Sequence, residues 1–299
     1  MSWRVGVDIG GTFTDIALID ETTGQVYNGK VSSTPDDPSK GFMEAVRRLV
    51  EEQAVAPDEV SYIVHGTTVA TNAIIEGKVA STAFITTDGF RDMLEIARQI
   101  RPELYNLQFE KPLPLVPRHH CFGVAERLDA KGEVLTPLDE AALRVVAGRL
   151  QQERVESVAV CFLHAYANPI HERRAGEILA EVIPEAMVSL SSEVAPEFRE
   201  YLRASTTVIN GCIRPVVARY LQRIEERLAE AGIRAELLVM QSSGGVYTFA
   251  AAQQRPVYMV ESGPAAGVIT AAHLGQVLGY DQVISFDMGG TTAKAGLVQ

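Results

Sequence analysis

Thiols are scarce in this chain: Cys121, Cys161 and Cys212 are the three cysteines among 299 residues. None has C-x-x-C spacing, so neither a zinc ribbon nor a disulfide framework is expected, and an odd, sparse set fits a reducing cytoplasm. Long apolar runs are also lacking. No stretch nears the roughly 20 residues of a membrane span. The apolar N-terminal stretch carries Asp8 and no cleavage-like region, so no signal peptide is expected. Positive charge is short: 27 lysines and arginines face 38 acids, a net charge of -11. A nucleic-acid surface needs a basic stripe, so neither nucleic acid nor membrane is an expected partner. No G-x-x-x-x-G-K-[ST] loop and no G-x-G-x-x-G after a strand occur, which excludes Walker and dinucleotide sites. No Ser–His–Asp set or histidine cluster has usable spacing; adjacent His119 and His120 point apart.

What is present suits a soluble α/β protein of about two domains. Phe42, Ala45, Val46, Leu49 and Val50 have helical spacing. Ser61 to His65 reads as a strand, Thr67 to Glu76 as a helix, and Thr82 to Thr87 as another strand. Residues 98 to 120 read as loop. Thr136 reads as the cap of a helix to about Gln152. Val158 to Leu163 reads as a buried strand. A mostly helical stretch from Pro196 to Gly232 contains Pro215 as a break or a new start. Val257 to Val260 reads as a strand, and Ser262-Gly263-Pro264 opens a helix to about Leu278. The composition places a boundary near 195, giving segments 1–195 and 196–299.

Two stretches carry the chemistry. Asp8-Ile9-Gly10-Gly11-Thr12-Phe13-Thr14-Asp15 reads as two apolar strands joined by a Gly-Gly turn. It recurs as Asp287-Met288-Gly289-Gly290-Thr291-Thr292-Ala293-Lys294. Asp8 falls on Asp287, Gly10 on Gly289, Gly11 on Gly290, Thr12 on Thr291 and Leu18 on Leu297. Paired glycines let backbone N–H groups approach a polyphosphate, and turn conformations form anion nests. Thr12, Thr14, Thr291 and Thr292 add hydroxyls. Asp8 and Asp287 can hold a hydrated magnesium ion, which takes few carboxylates alongside waters and phosphate oxygens. The expected arrangement is a duplicated lobe gripping ATP and Mg2+ between two hairpins.

These hairpins resemble the phosphate motifs of the actin, sugar-kinase and heat-shock-chaperone superfamily. More specifically, the chain resembles the A-type subunits of ATP-dependent hydantoinases and 5-oxoprolinases, relatives of acetone and acetophenone carboxylase subunits. The resemblance is carried by Asp8 to Asp15, His65-Gly-Thr-Thr-Val-Ala-Thr-Asn72, Gly89 to Asp92, Arg98 to Pro102, Asn210, Gln241 to Gly245, Ser262 to Gly267 and Asp287 to Thr291. It implies an α/β fold: an actin-like (ribonuclease H-like) ATPase lobe with a mixed sheet and flanking helices, plus the start of a second lobe. Relatives are longer, so a fragment, a processed product or a truncated gene is expected. The resemblance also implies phosphorylation and hydrolysis of a cyclic amide such as a hydantoin or 5-oxoproline, with a B-type partner subunit. An ATP-dependent ketone carboxylase and a non-catalytic nucleotide-binding subunit are the rival readings.

Within that frame Asp8, Asp287 and His65 are the catalytic candidates, with the two aspartates as metal ligands. Gly10, Gly11, Thr12, Thr14, Gly289, Gly290, Thr291, Thr292 and Lys294 are the nucleotide candidates. Lys294 stands where many relatives carry an acid, and a direct phosphate contact is one reading of it. His65 is a cleft acid/base or substrate contact, or else a hydrogen-bonded turn histidine. Thr67, Thr68 and Asn72 are substrate contacts or helix caps. Arg98 and Arg101 grip an anionic substrate, or lie on the surface paired with Glu95 and Glu103.

Overall fold

Alternation decides the first strand. Trp3, Val5, Val7 and Ile9 are buried, whereas Arg4 and Asp8 are exposed, the two-residue period of a strand with one covered face. The structure is a computed structural model and describes residues 2–100, 102–288 and 293–299. Its strands are β1 (Trp3–Ile9), β2 (Phe13–Asp20), β3 (Val26–Ser32), β4 (Val60–Thr67), β5 (Thr82–Thr87), β6 (Cys121–Val124), β7 (Arg127–Leu128), β8 (Val134–Thr136), β9 (Ser157–Cys161), β10 (Met187–Leu190), β11 (Glu236–Met240), β12 (Val246–Thr248), β13 (Val283–Met288) and β14 (Ala293–Val298). Its helices are α1 (Pro38–Glu52), α2 (Val69–Ile75), α3 (Met93–Ile96), α4 (Glu140–Gln152), α5 (Ile170–Val182), α6 (Ser191–Val194), α7 (Glu200–Glu230), α8 (Phe249–Gln254) and α9 (Ser262–Leu278).

The chain folds as two compact units, Met1–Lys78 with Val216–Gln299, and Val79–Pro215. They are interleaved along the sequence, unlike a single cut near 195. The first unit holds a mixed sheet in the order β12-β11-β4-β1-β2-β3. β1 pairs antiparallel with β2 and parallel with β4, which pairs parallel with β11. This is the actin-like lobe that the hairpin motif implies. Helix α1 lays Phe42, Ala45, Val46 and Leu49 onto β1, β2 and β3. Each such buried side chain contributes about 1.5–3 kcal/mol.

The second unit is a parallel sheet in the order β10-β9-β5-β6. Every residue of β5 and β9 is buried, as in a sheet covered on both faces, with the Thr82, Thr86 and Thr87 side chains of β5 buried among them. Leu143, Ala147 and Leu150 of α4 join Ala175, Ile178 and Leu179 of α5 in one core. Ala204, Val208 and Cys212 of α7 join Met93 in another. All three cysteines are free and buried.

Three local expectations change. Asp139, not Thr136, caps α4 by accepting from the Ala142 N–H at 2.9 Å, because Thr136 is spent in β8. Residues Pro256–Met259 form a 3-10 turn instead of a strand: Pro256 opens it, and Met259 is fully buried. A four-residue apolar run carries too little period to separate the two. Helix α7 continues through Pro215, with Ile213, Val217, Leu221 and Ile224 all fully buried, so packing outweighs the lost hydrogen bond.

Candidate functional site

The two hairpins share one register. Asp8 faces Asp15 across β1 and β2, and Asp287 faces Lys294 across β13 and β14. The turn after β1 is closed by the Gly10 N–H donating to the Phe13 carbonyl at 3.0 Å. A Cβ on Gly10 would lie 3.2 Å from that carbonyl, so the turn needs a small residue there. Gly11 and Thr12 are exposed at its tip. Ser33 holds the turn from behind: its hydroxyl donates to the Gly10 carbonyl at 2.8 Å, and its N–H donates to the Thr12 carbonyl at 2.9 Å.

Three motifs distant in sequence converge on Asp8. A Cβ on Gly66, the residue paired with Asp8 in the β1–β4 ladder, would sit 2.9 Å from Asp8 Oδ1. A Cβ on Gly263, at the start of α9, would sit 3.8 Å from the same oxygen. Gly66 therefore leaves no room beside the carboxylate and Gly263 stands at ordinary contact distance, while solvent reaches it from another side. That burial raises its pKa, and Asp15 and then Asp287 raise it further. Among the described residues no three His, Cys, Asp or Glu side chains form a metal cage. Magnesium needs only one or two carboxylates with waters and phosphate oxygens. The surplus negative charge around Asp8 is what a divalent cation would offset, so these residues fit one.

Thr68 and Asn72 brace the end of β1. The Thr68 N–H and hydroxyl each donate to the Ile9 carbonyl at 3.2 Å, and Asn72 Nδ2 donates to Thr68 Oγ1 at 3.2 Å. Both side chains remain half-buried. Lys294 is ion-paired with Glu261. Gly289, Gly290, Thr291, Thr292 and Arg101 lie outside the described residues.

Four expectations are corrected. His65 is fully buried and lies in no cleft. Its Nδ1–H donates to the Val7 carbonyl at 3.1 Å, and its Nε2 accepts from the Tyr220 hydroxyl at 2.7 Å. Phe42, Tyr220 and Phe249 surround the ring. With both nitrogens used, it braces β1 and is no acid/base group. Thr14 is fully buried, because strand alternation turns it to the α1 side with Ile16 and Leu18; its hydroxyl meets Ser33 Oγ at 3.0 Å and supports the turn without reaching a nucleotide. Thr67 is 1% exposed and caps α2 by accepting from the Val69 N–H at 3.1 Å. Arg98 belongs to the second unit, where it is exposed and lines a cavity of about 460 Å³ with Leu113, Tyr201 and Ser205. The acid once matched to it, Glu95, instead pairs with Lys111 at 2.7 Å.

The sequence had no cue to Tyr220, Ser33 or Glu261. Gly66 and Gly263 stood inside recognised motifs, but their approach to one oxygen is a fact of strand register.

Burial holds the His65 pKa down at about 4 against an ordinary 6.5. Between those values the unfolded chain binds a proton that the folded chain refuses, so stability falls as pH drops through the window, by about 3 kcal/mol for this group. Denaturant unfolding from pH 7 to 4 should show that loss, and His65→Gln should lack it. Parallel curves for the two chains would place the proton elsewhere.

Family models match most of the chain. A family model for the hydantoinase/oxoprolinase N-terminal region matches residues 4–183, and the hydantoinase/oxoprolinase model matches residues 203–299. The chain belongs to the hydantoinase/oxoprolinase family. Caprolactamase subunit alpha of Pseudomonas jessenii is 34% identical over 97% of this chain and 42% of its own length. The 5-oxoprolinase of Saccharomyces cerevisiae is 32% identical over 97% of this chain and 25% of its own. The nucleotide-free structure of an acetone carboxylase superposes with a TM-score of 0.89 at 29% identity, over 99% of this chain and 43% of that one. The ATP-dependent caprolactamase structure superposes with a TM-score of 0.88 at 34% identity, over 98% and 43%. The chain thus spans less than half the length of these relatives. Among its described residues no helix is long and apolar enough to cross a membrane.

Proposed function

We propose that this chain is the nucleotide-gripping part of an ATP-dependent cyclic-amide hydrolase. The observation that carries this reading is the convergence of Gly66 and Gly263 on the carboxylate of Asp8, beside an exposed Gly11-Thr12 turn. The Gly11 N–H and the Thr12 hydroxyl, on the turn that Gly10 closes, take phosphate oxygens from one hairpin, and Gly289, Gly290, Thr291 and Thr292 take them from the other. Asp8 and Asp287 hold Mg2+, which when bound neutralises phosphate charge. Lys294, paired with Glu261, borders the same phosphates. Thr68 and Asn72 fix the β1 end and border the substrate. A cytoplasmic B-type subunit completes the enzyme.

An amide carbonyl resists water because nitrogen donates electron density into it. In the proposed reaction the carbonyl oxygen attacks the γ-phosphorus and ADP leaves. Water then adds to the activated carbon, the C–N bond breaks, and the departing nitrogen takes a proton. A second water releases inorganic phosphate, leaving an open-chain amino acid. Phosphoryl transfer needs positioning and charge neutralisation more than covalent help, which suits a site built of backbone and carboxylates.

The acetone carboxylase superposition gives a second reading, in which a ketone and bicarbonate are the activated groups. The test is ATP turnover by the complete protein with its partner subunit. Lactams, hydantoins or 5-oxoproline are expected to stimulate release of phosphate. Stimulation by a ketone with bicarbonate alone would replace the first reading with the second.

A further inference from the structure

Glu261, the residue that opens α9, has φ +64 and ψ 22. This is the left-handed region, which a residue with a Cβ enters only when its surroundings over-determine it. The cleft supplies that constraint. The Glu261 N–H donates to Thr71 Oγ1 at 3.2 Å, and its carbonyl accepts from the Ala265 N–H at 3.4 Å. Fully buried Ser262 donates to the Thr67 carbonyl at 3.5 Å, and Gly263 lies against Asp8. The strained backbone thus holds the Glu261 carboxylate on Lys294 Nζ. Lys294 stands across the hairpin from Asp287, at the position Asp15 occupies in the other hairpin.

The charges add up unfavourably for a bare anion. Lys30 is paired with Asp15 at 3.0 Å, and Lys294 is paired with Glu261. Asp8 and Asp287 hold the same register position in the two hairpins, and neither has a lysine or arginine partner among the ion pairs of the described residues. A polyphosphate arriving without a cation meets carboxylates and a lysine already neutralised. We propose that Glu261 is a specificity-determining residue: by occupying Lys294 it makes the cleft refuse a metal-free polyphosphate and accept a metal-bound one. This rests on the nucleotide-cleft reading and names its ligand's charge state.

The test is calorimetric titration of the full chain with pyrophosphate and with ADP, each with and without magnesium. Glu261→Gln keeps the backbone conformation and removes the charge, and Glu261→Asn, which tolerates left-handed backbone, serves as a second variant. Metal-free binding is expected to tighten about two- to fivefold, the scale of a half-exposed ion pair, while magnesium-loaded binding changes less. In a Lys294→Met background that gain should vanish. No tightening, or weaker metal-free binding, overturns the proposal. An equal gain in the Lys294→Met background also overturns it, since only the general charge of the cleft would then be involved. Wild-type chain that binds neither probe in either condition removes the cleft reading itself, a result separable from the others.

Discussion

Replacing Asp8 by asparagine is expected to abolish magnesium–ATP binding, with at least a ~100-fold loss in affinity, the scale seen when one preorganised charge-stabilising group is removed. The same change is expected to leave the fold as stable or slightly more so. Burial, Asp15 and Asp287 all raise the Asp8 pKa, so its ionised form is disfavoured in the free protein. The sign follows from linkage. A carboxyl whose folded pKa is raised stabilises the fold at low pH and loses that contribution as pH rises through the folded value. An uncharged asparagine avoids the loss. Lost binding without lost melting temperature is the pattern of a residue kept for function at a cost in stability. Titration of Asp8→Asn with magnesium–ATP, beside its melting curve, tests both halves. Unchanged affinity would remove the phosphate-cleft assignment.

Replacing Arg203 by methionine is expected to destabilise the second unit by about 2–4 kcal/mol, the cost of removing charged donors from buried oxygens. Arg203 is 2% exposed. Its guanidinium donates to Ser191 Oγ at 3.1 Å, to the Glu197 carbonyl at 2.8 Å and to the Phe162 carbonyl at 2.8 Å. Ser191 in turn donates to Glu172 Oε1 at 2.6 Å, and Glu172 accepts from the Phe162 and Ser192 N–H groups at 2.9 and 2.8 Å. Glu172 is itself fully buried, and that burial raises its pKa. Methionine fills the volume but takes the guanidinium donors from the Glu197 and Phe162 carbonyls and from Ser191 Oγ, which bridges to Glu172. Denaturant unfolding at neutral pH measures the loss. A change under about 1 kcal/mol would mean that water or a neighbour replaces the guanidinium, within the range of an ordinary exposed substitution.

Much of the architecture was legible because it is written in period and repetition. The buried alternation of β1, the apolar stripe of α1 and the continuous apolar run of β9 each follow from local spacing. The repeated hairpin was legible too, since the structure gives Asp8–Asp15 and Asp287–Lys294 the same register. Individual site roles were less so. A histidine beside a Gly-Thr-Thr turn looks the same in sequence whether it faces a cleft or a core. Only the placement of Tyr220, 155 positions later, decides it. Thr14 and Thr12 differ by two residues and read alike as hydroxyls, yet the strand that begins at Phe13 buries Thr14 and leaves Thr12 at the open turn.

The sequence by itself determined that an Asp-x-Gly-Gly-Thr motif occurs twice and that the lobe is α/β. Those features are local, so covalent order suffices to specify them. Only the tertiary structure decided which groups meet. The parallel pairing of β1 with β4 brings Gly66 onto Asp8, the start of α9 brings Gly263 to the same oxygen, and a left-handed Glu261 engages Lys294. Those meetings depend on register between strands and on backbone twist at one residue, which no spacing along the chain records. The opening hairpin was readable as a hairpin, but the surroundings of its carboxylate are products of the fold.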